Sequence, residues 1–505
     1  MSKEKENSTH KKRPPVVAVL GHVDHGKSSL LDYIRKSNII DSEHGGITQH
    51  LGAYETTWIG PDKIEQKITF LDTPGHESFC SMRRRGVCLS DIAILIVSAE
   101  ESVKAQTIEA KNSIEESGIP YMVAINKIDR PSANPEKVKQ DLAENGTFLE
   151  SYGGKIPSVN ISAKTGEGID ELLDVLLLMA DMEDLKGNPQ APAEGFILEN
   201  NLDPKTGISA TLVIKNGSLK NGDWLAVAGQ AFKIKKIEDD QGQTLKKASF
   251  SSPIKILGWK ELPPVGEPFT ILKDKKEADD YEKNFVKCSK GEECSLAEEN
   301  ETDKKIIPLI IKTDVEGTLE AIVMEIKKIN NKDNIKLNII KSGVGSIGED
   351  DVKTAQTKSE TIIIGFNIKT DKAAADIIER TGVEIQIFSI IYKLKEWLED
   401  EMEKRRPRIT IEKVVGQAKI LKVFNKQKSK QLIGGNVISG YIVKKGQVNI
   451  IRRDNLIGQG IISELQQQKL EAIKVEEGNQ FGAKIETKID LVPGDVIEMF
   501  EKVIS

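Results

Sequence analysis

The sequence has 505 residues, of which 38% are hydrophobic and 30% charged, with a formal net charge of −6 at pH 7. At roughly 100 to 200 residues per domain this length makes three or four domains, each able to bury a core. The charge density and the lack of any run of about 18 apolar residues argue against a membrane-spanning helix. The net acidity excludes a surface that binds nucleic acid all over, leaving local basic patches.

Those patches are Arg83 to Arg85, Arg405-Arg406 with Arg408, and Arg452-Arg453, each of which reads more simply as a solvated face. The four cysteines, Cys80, Cys88, Cys288 and Cys294, lack the spacing of a zinc knuckle and imply a reducing, cytosolic setting. Cys288 and Cys294 read as linker thiols rather than a redox pair or half a metal site.

Residues 1–14 read as a short disordered tail, mixed in charge and without the apolar stretch of a secretion signal. In 15–185, apolar runs of strand length alternate with helical patterns: Val16 to Leu20, Ile68 to Leu71, Ile92 to Val97, Tyr121 to Ile125 and Val159 to Ile161. Such runs imply a parallel sheet covered on both faces. A Pro- and Gly-bearing linker follows from Lys186 to Ala193. Residues 194–273 carry short alternating strands, with Asn216-Gly217 and Asn221-Gly222 suited to hairpin turns, and read as a first β-barrel. The charged stretch 274–305 has few apolar anchors and reads as a flexible linker.

A second α/β domain spans 306–389, with strands at Leu309 to Ile311, Ile335 to Ile340, Thr361 to Phe366 and Val383 to Phe388. One of its helices carries Leu319, Ile322, Val323 and Ile326 on one face. Ile391, Leu394, Leu398 and Met402 mark a connecting helix over 390–407, stopped by Pro407, which reads as a rod between domains. Short strands return in 410–505. There Lys445-Gly446 and Pro493 to Asp495 echo Lys220 to Gly222 and Val265 to Glu267, so a second β-barrel is the economical reading. The fold class is multidomain α/β plus β.

Gly21-His22-Val23-Asp24-His25-Gly26-Lys27-Ser28, followed by Ser29, fits the phosphate-binding pattern G-x-x-x-x-G-K-[ST] between an apolar strand and a helix. Its glycines let backbone N–H groups wrap phosphates, Lys27 reaches the β and γ oxygens, and Ser28 ligates Mg2+. Asp72-Thr73-Pro74-Gly75-His76 ends another strand, where the aspartate can hold the metal through water and the glycine N–H can meet the γ-phosphate. Asn126-Lys127-Ile128-Asp129 ends a third, and its aspartate can accept from guanine N1 and N2, which adenine cannot match. Ser162-Ala163-Lys164 at the next strand end can meet guanine O6 through its backbone. Four elements at successive strand ends, in this order, point to GTP and GDP and oppose an ATP-dependent motor.

These motifs, with histidine at 25 and 76, resemble the translational GTPases. The segment Gly45 to Ala53 resembles switch I of the bacterial translation initiation factor two family, as do Ala210 to Asp223, Lys312 to Ala321 and Gly343 to Gly348 in later domains. Elongation factor Tu has no α/β domain after its first barrel. The resemblance implies that Thr48 is the second protein ligand of Mg2+, that Val23 and Ile47 form an apolar gate beside the attacking water, and that His76 orients that water. Five of the six histidines, His22, His25, His44, His50 and His76, fall in these segments, at spacings that phosphate motifs rather than zinc would set.

By the same resemblance the protein is a ribosome-stimulated GTPase, expected to act as a monomer away from membranes. It positions initiator tRNA on the small subunit and promotes joining of the two subunits. A GTP-gated RNA-binding or assembly factor with a noninitiator RNA is the alternative. In the last barrel the family's cysteines and basic-aromatic turn are replaced by Asn436, by Gln466, Gln467 and Gln468 before Lys469, and by Phe481, so formyl recognition departs from the family pattern. Phe481 reads equally as apolar surface for methionine or as core. The family's N-terminal extension is reduced to about a dozen residues.

Overall fold

Strands made of unbroken Val, Ile and Leu have no face to give to water. In β1 (Val16–Gly21) of the computed structural model, Val17 and Val19 enter one core with Leu30, Ile94 and Leu172, while Ala18 and Leu20 enter the opposite core with Val87, Ile114 and Val123. The structure describes residues 10–36, 47–60, 63–203, 205–288, 305–330, 335–358, 360–406, 410–427, 430–453 and 455–504. His44 and the Gly45-Gly46 start of the expected switch I, and residues 1–9 of the expected tail, lie outside them. The chain divides into two units, Met1–Lys404 and Arg405–Ser505.

After β1 and α1 (Lys27–Arg35), the first sheet is completed by β2 (Gly52–Ile59), β3 (Glu65–Asp72), β4 (Ile92–Ser98), β5 (Tyr121–Asn126) and β6 (Ser158–Asn160), in the order β2-β3-β1-β4-β5-β6. α2 (Cys80–Leu89), α3 (Ala105–Ser117), α4 (Pro135–Glu144) and α5 (Ile169–Met182) connect them. The all-parallel expectation needs one correction. β2 pairs antiparallel with β3, Gly52 opposite Asp72 through Ile59 opposite Glu65, because the short return from Gly60 to Ile64 leaves no room for a crossover helix. β2 is an edge strand with a half-exposed face, so it shows no apolar run.

The tail and the linker after the first domain also need correction. Lys11 and Lys12 pair antiparallel with Gly187 and Lys186. Arg13 then lays both guanidinium nitrogens on Asp91, at 2.6 and 2.7 Å. The same carboxylate accepts from Val16 N at 2.9 Å and from Lys215 of the first barrel at 2.7 Å. Burial pushes the Asp91 carboxyl up, but Arg13 and Lys215 outweigh it and hold the group below its ordinary value.

The first barrel domain is an eight-stranded antiparallel sheet with a separate two-stranded ribbon, wrapped around Ile197, Leu212, Ile254 and the tilted ring pair Phe232 and Trp259. Gly217 and Gly222 take φ of +78° and +96°. The strands flanking each turn pair with other partners, so these turns make corners between sheets rather than the expected hairpins.

The expected flexible linker begins with a helix, α6 (Lys275–Cys288). Asp274 caps it by accepting from Lys276 N and Glu277 N at 2.9 and 3.0 Å, and Ala278 is buried with Trp224 and Tyr281. Residues 289–304 of that linker, including Cys294, lie outside the described residues.

The second α/β domain has β7 (Lys305–Thr313), α7 (Glu316–Asn330), β8 (Ile335–Val344), α8 (Glu349–Thr357), β9 (Ile362–Phe366), α9 (Lys372–Thr381) and β10 (Glu384–Phe388). Its parallel sheet runs β8-β7-β9-β10. α10 (Ile391–Arg405) follows, and it is not a free rod. Ile391, Leu394, Leu398 and Met402 are all buried in one core with Ile322 and Ile326 of α7 and with Phe79 and Met82 of the first domain. Where α7 starts, a Cβ on Gly317 would stand 2.1 Å from Met82 Cε, so glycine permits the close approach.

In the second unit six antiparallel strands close a ring: Thr410–Gln427, Val496–Ile504, Gln447–Arg452, Asn455–Gln467, Gln480–Glu486 and Lys430–Val443, which pairs back with the first. Phe481 is 4% exposed inside this barrel and sits over Gly435. It is core. Asn436, with its amide nitrogen turned inward, donates to the carbonyls of Asn479 and Gly478 at 2.8 and 3.2 Å. Arg452 is bound to Asp495 at 2.8 Å rather than solvated alone.

Asp91→Ala should leave Arg13 and Lys215 without their shared counter-charge and lower stability by about 3–5 kcal/mol, the cost of breaking a buried pair. Because the folded state depresses this carboxyl, the contribution is present above the ordinary aspartate range and is lost as pH falls through the folded value. The first melting transition, followed against pH, should drop in the variant and lose that part of its acid sensitivity. An unchanged transition would remove Asp91 as a clamp.

Candidate functional site

The loop between β1 and α1 is shaped by a buried cation. Gly26 caps α1 at φ +92°, ψ +31°, a conformation that costs glycine little. Lys27, the first helical residue, returns across the loop to donate to Gly21 O at 3.0 Å and His22 O at 2.8 Å. Burial pulls its ammonium down to about 8, against Asp72 and Asp24, which hold it up. Gly75 lies over the ammonium. A Cβ there would stand 2.4 Å from Lys27 Nζ and 3.2 Å from Val23 N, so any larger residue would have to push the ammonium aside.

Ser28 Oγ lies 2.7 Å from Thr48 Oγ1, which donates to Asp72 Oδ2 at 3.4 Å. Two hydroxyls and a carboxylate thus meet, a hard oxygen set that fits Mg2+. Thr73 Oγ1 donates to Val19 O at 2.6 Å, and Arg83, 2% exposed, donates to the carbonyls of Pro74 and His76. The triplet Arg83 to Arg85 is therefore no solvated basic face: Arg83 fixes the backbone, Arg85 meets Glu320 of α7 at 2.9 Å, and only Arg84 stays mostly in solvent.

The far end of the site is tied to this loop by Asn126, whose Nδ2 donates to His25 O at 2.9 Å and whose Oδ1 accepts from Ala163 N at 2.9 Å. Ser162 Oγ donates to Asp129 Oδ1 at 2.8 Å and thereby holds that carboxyl below its ordinary value.

Together these segments line a cavity of about 410 Å3. Val23, Asp24, Gly26, Lys27, Ser28, Ser29, Ile47, Thr48, Gly75, His76, Asn126, Lys127, Asp129, Ala163 and Lys164 all reach it, as does Arg130, which sequence reasoning missed. Gly21, His22, His25, Asp72, Thr73, Pro74, Ile128 and Ser162 stand behind this lining. Gln106 is another omission: it accepts from Val23 N at 3.2 Å, and no motif announces it.

The histidines differ in environment. His25 is buried with its ring edge-on to His22 at 4.9 Å, and burial with the His22 charge pulls it down to about 3. One ligand-type atom each of His22, His25 and Glu101 lies within 4.8 Å of the others. His76 caps a short turn: its Nδ1 accepts from Ser78 N at 3.0 Å and lies 2.7 Å from Ser78 Oγ. Tyr392 of α10 stands edge-on to the His76 ring at 4.3 Å. Burial pulls His76 down to about 4, while Glu325 and Glu77 oppose the shift.

The family model described as Elongation factor Tu GTP binding domain matches residues 12–181, Elongation factor G domain 2 matches 192–271, and Translation-initiation factor 2 matches 283–399. Translation initiation factor IF-2 of a Nitratiruptor species is 40% identical over 509 residues, covering 99% of this chain and 60% of that protein. The IF-2 of Halothermothrix orenii is 41% identical over 500 residues, covering 97% of this chain and 72% of its own. The crystal structure of GDP-bound aIF5B from Aeropyrum pernix is 26% identical, covering 97% of this chain and 92% of that one at a TM-score of 0.47. The chain spans about 60% of the length of the first of these relatives.

With His25 near 3 and His76 near 4, both rings should remain neutral at pH 6, where an ordinary histidine is mostly charged. Depressed histidine values make the fold lose stability as pH falls from about 6.5 toward these values. Imidazole resonances titrated by NMR should show two of the six histidines without a midpoint above pH 5. Midpoints near 6.5 for all of them would contradict the burial described.

Proposed function

The chain belongs to the translation initiation factor 2 family, and on that premise we propose that it is a cytoplasmic GTPase that positions initiator tRNA on the small ribosomal subunit, promotes subunit joining and hydrolyses GTP on the ribosome. The observation that carries this reading is the meeting of Lys27, Ser28, Thr48, His76 and Asp129 around one cavity, with Asp72 directly behind.

GTP enters with its phosphates over the Gly21–Ser28 loop. Lys27 exchanges the carbonyls of Gly21 and His22 for the β and γ oxygens, and the N–H groups opening α1 face the same anion. Ser28 and Thr48 would hold Mg2+, with Asp72 acting through water. Mg2+ bound there supplies charge neutralisation on the phosphates. Val23 and Ile47 keep bulk water off the γ-phosphate, Gly75 donates to it, and His76 orients the attacking water. For phosphoryl transfer such positioning carries most of the rate.

At the other end the Asp129 carboxylate accepts from guanine N1 and N2, while Ser162 holds its second oxygen. Lys127 lies beneath the base, and the backbone from Ser162 through Lys164 meets O6. Initiator tRNA is assigned to the barrel 410–505. Phe481 is interior and contributes no surface to the methionyl end.

Asp129→Asn should shift preference from GTP toward xanthosine triphosphate, because an amide presents a donor to guanine donors. Each lost charge-assisted bond costs about 1.5–3 kcal/mol, and competition binding with unchanged GTP preference would exclude this base-reading role. His76→Ala should leave GTP affinity nearly intact and slow ribosome-stimulated hydrolysis by roughly 10²- to 10⁴-fold. Equal single-turnover rates on ribosomes would remove His76 from the mechanism.

A further inference from the structure

Two histidines of the phosphate loop hold nitrogens that the reaction chemistry described above does not use. His25 is fully buried, and neither of its ring nitrogens has an aligned hydrogen-bond partner. The carbonyl of Ile96 lies near enough to favour a protonated ring without satisfying it. His22 Nδ1 is buried and likewise unpartnered. Buried polar groups are nearly always hydrogen-bonded, so orphaned nitrogens on two touching rings require an explanation. The rings meet edge-on with centroids 4.9 Å apart. Glu101, in the turn between β4 and α3, brings a carboxylate to the same point, and one donor atom from each of the three lies within 4.8 Å of the others. Sequence spacing hides this cluster because Glu101 arrives from a separate loop.

Two imidazoles and one carboxylate are a donor set that holds first-row divalent ions such as Zn2+, with water completing the coordination. Mg2+ takes oxygen donors instead, which Ser28, Thr48 and Asp72 offer and this cluster does not. Ligand bonds of about 2.0–2.1 Å place tetrahedral donors roughly 3.3 Å apart, so the three groups must draw closer around an ion. Glu101 can move, since it is exposed and its neighbours Lys104 and Lys127 stand 3.8 and 3.9 Å away, beyond hydrogen-bond reach. Exposed pairs of that length contribute little, and a divalent ion displaces them. The side chain of Gln106 meets His22, the kind of partner that holds a ligating ring in place. Lys27 repels a cation from both rings, which limits the affinity.

We propose that His22, His25 and Glu101 form a second metal site, one for an ion of the Zn2+ type and distinct from the Mg2+ site of Ser28 and Thr48. The ion gives the orphaned nitrogens a partner and ties the phosphate loop to the turn after β4. All three donors come from this chain and none from a nucleotide, so the inference stands apart from the proposed function.

The test uses the untagged, nucleotide-free full chain with Co2+ as a spectroscopic stand-in for Zn2+. In excess Mg2+ the wild type should take up a single equivalent, with the ligand-field absorption of a low-coordinate site and no thiolate charge-transfer band. Added Zn2+ should displace it. Glu101→Gln and His22→Gln should each weaken the uptake by about tenfold or more, the scale on which changes around a metal are felt. No uptake, uptake that neither substitution weakens, displacement by Mg2+, or a thiolate band that assigns the ion to cysteines would each overturn the proposal. Should His22→Gln fail to fold, Glu101→Gln decides alone, because that side chain lies at the surface. Loss of GTP hydrolysis on ribosomes would bear on the proposed function and leave the metal titration to decide this inference.

Discussion

A buried ammonium must find acceptors, and much of the first domain follows from where Lys27 finds them. It reaches back to Gly21 O and His22 O, which closes the loop after β1 into a cradle and fixes the first turn of α1. The loop after β3 then crosses the ammonium so closely that a Cβ at Gly75 would displace it. That crossing brings Asp72 beside Thr48 and Ser28 and sets His76 on the cavity wall. The site is thus one constraint propagated through short loops at the carboxyl ends of parallel strands, where an open α/β sheet gathers its functional groups.

The second α/β domain reads these loops rather than merely following them. Gln49 donates to Ser389 O at 2.8 Å and accepts from Ile391 N at 3.2 Å, so the segment after Thr48 is bound to the start of α10. The loop after β3 and α2 is held by Ser78 to Glu325, Ser81 to Glu320 and Arg85 to Glu320, with Phe79 and Met82 sunk in the neighbouring core. Contacts of this kind couple nucleotide-dependent loops to a distant element only if they differ between states. The seam thus joins these polar bonds to a shared apolar core around Phe79 and Met82.

The nucleotide cavity was legible because phosphate and base recognition depend on short contiguous motifs at strand ends, each readable without tertiary information. What escaped was set by long-range contact. Ser78 and Glu325 are 247 residues apart in sequence, and nothing local marks either. Arg83 looked like one of three surface arginines because its partners, two backbone carbonyls and the carboxylate of Glu109, are brought to it only by the fold. α6 was hidden by its charge, although Asp274 at its cap and Ala278 and Tyr281 at helical spacing were present to be read. The apolar stripe on α10 was recognised, but a stripe names only a buried face and not what buries it. Charge alone likewise misjudged the tail, where Arg13 is held by a single distant aspartate.

The closed ring of the second unit has a consequence for what its outer surface can display. Among the described residues every ring strand finds neighbours on both sides, so the ring itself exposes no row of unpaired backbone groups to template another chain. Leu421, Phe424 and Leu432 can then stand more than two-fifths exposed on adjoining strands without inviting edge-to-edge growth. In an open sheet the same side chains would mark an aggregation hazard. Here closure leaves those side chains on a curved outer wall whose backbone is already fully paired among the described ring strands, so whatever touches it can do so only through side chains.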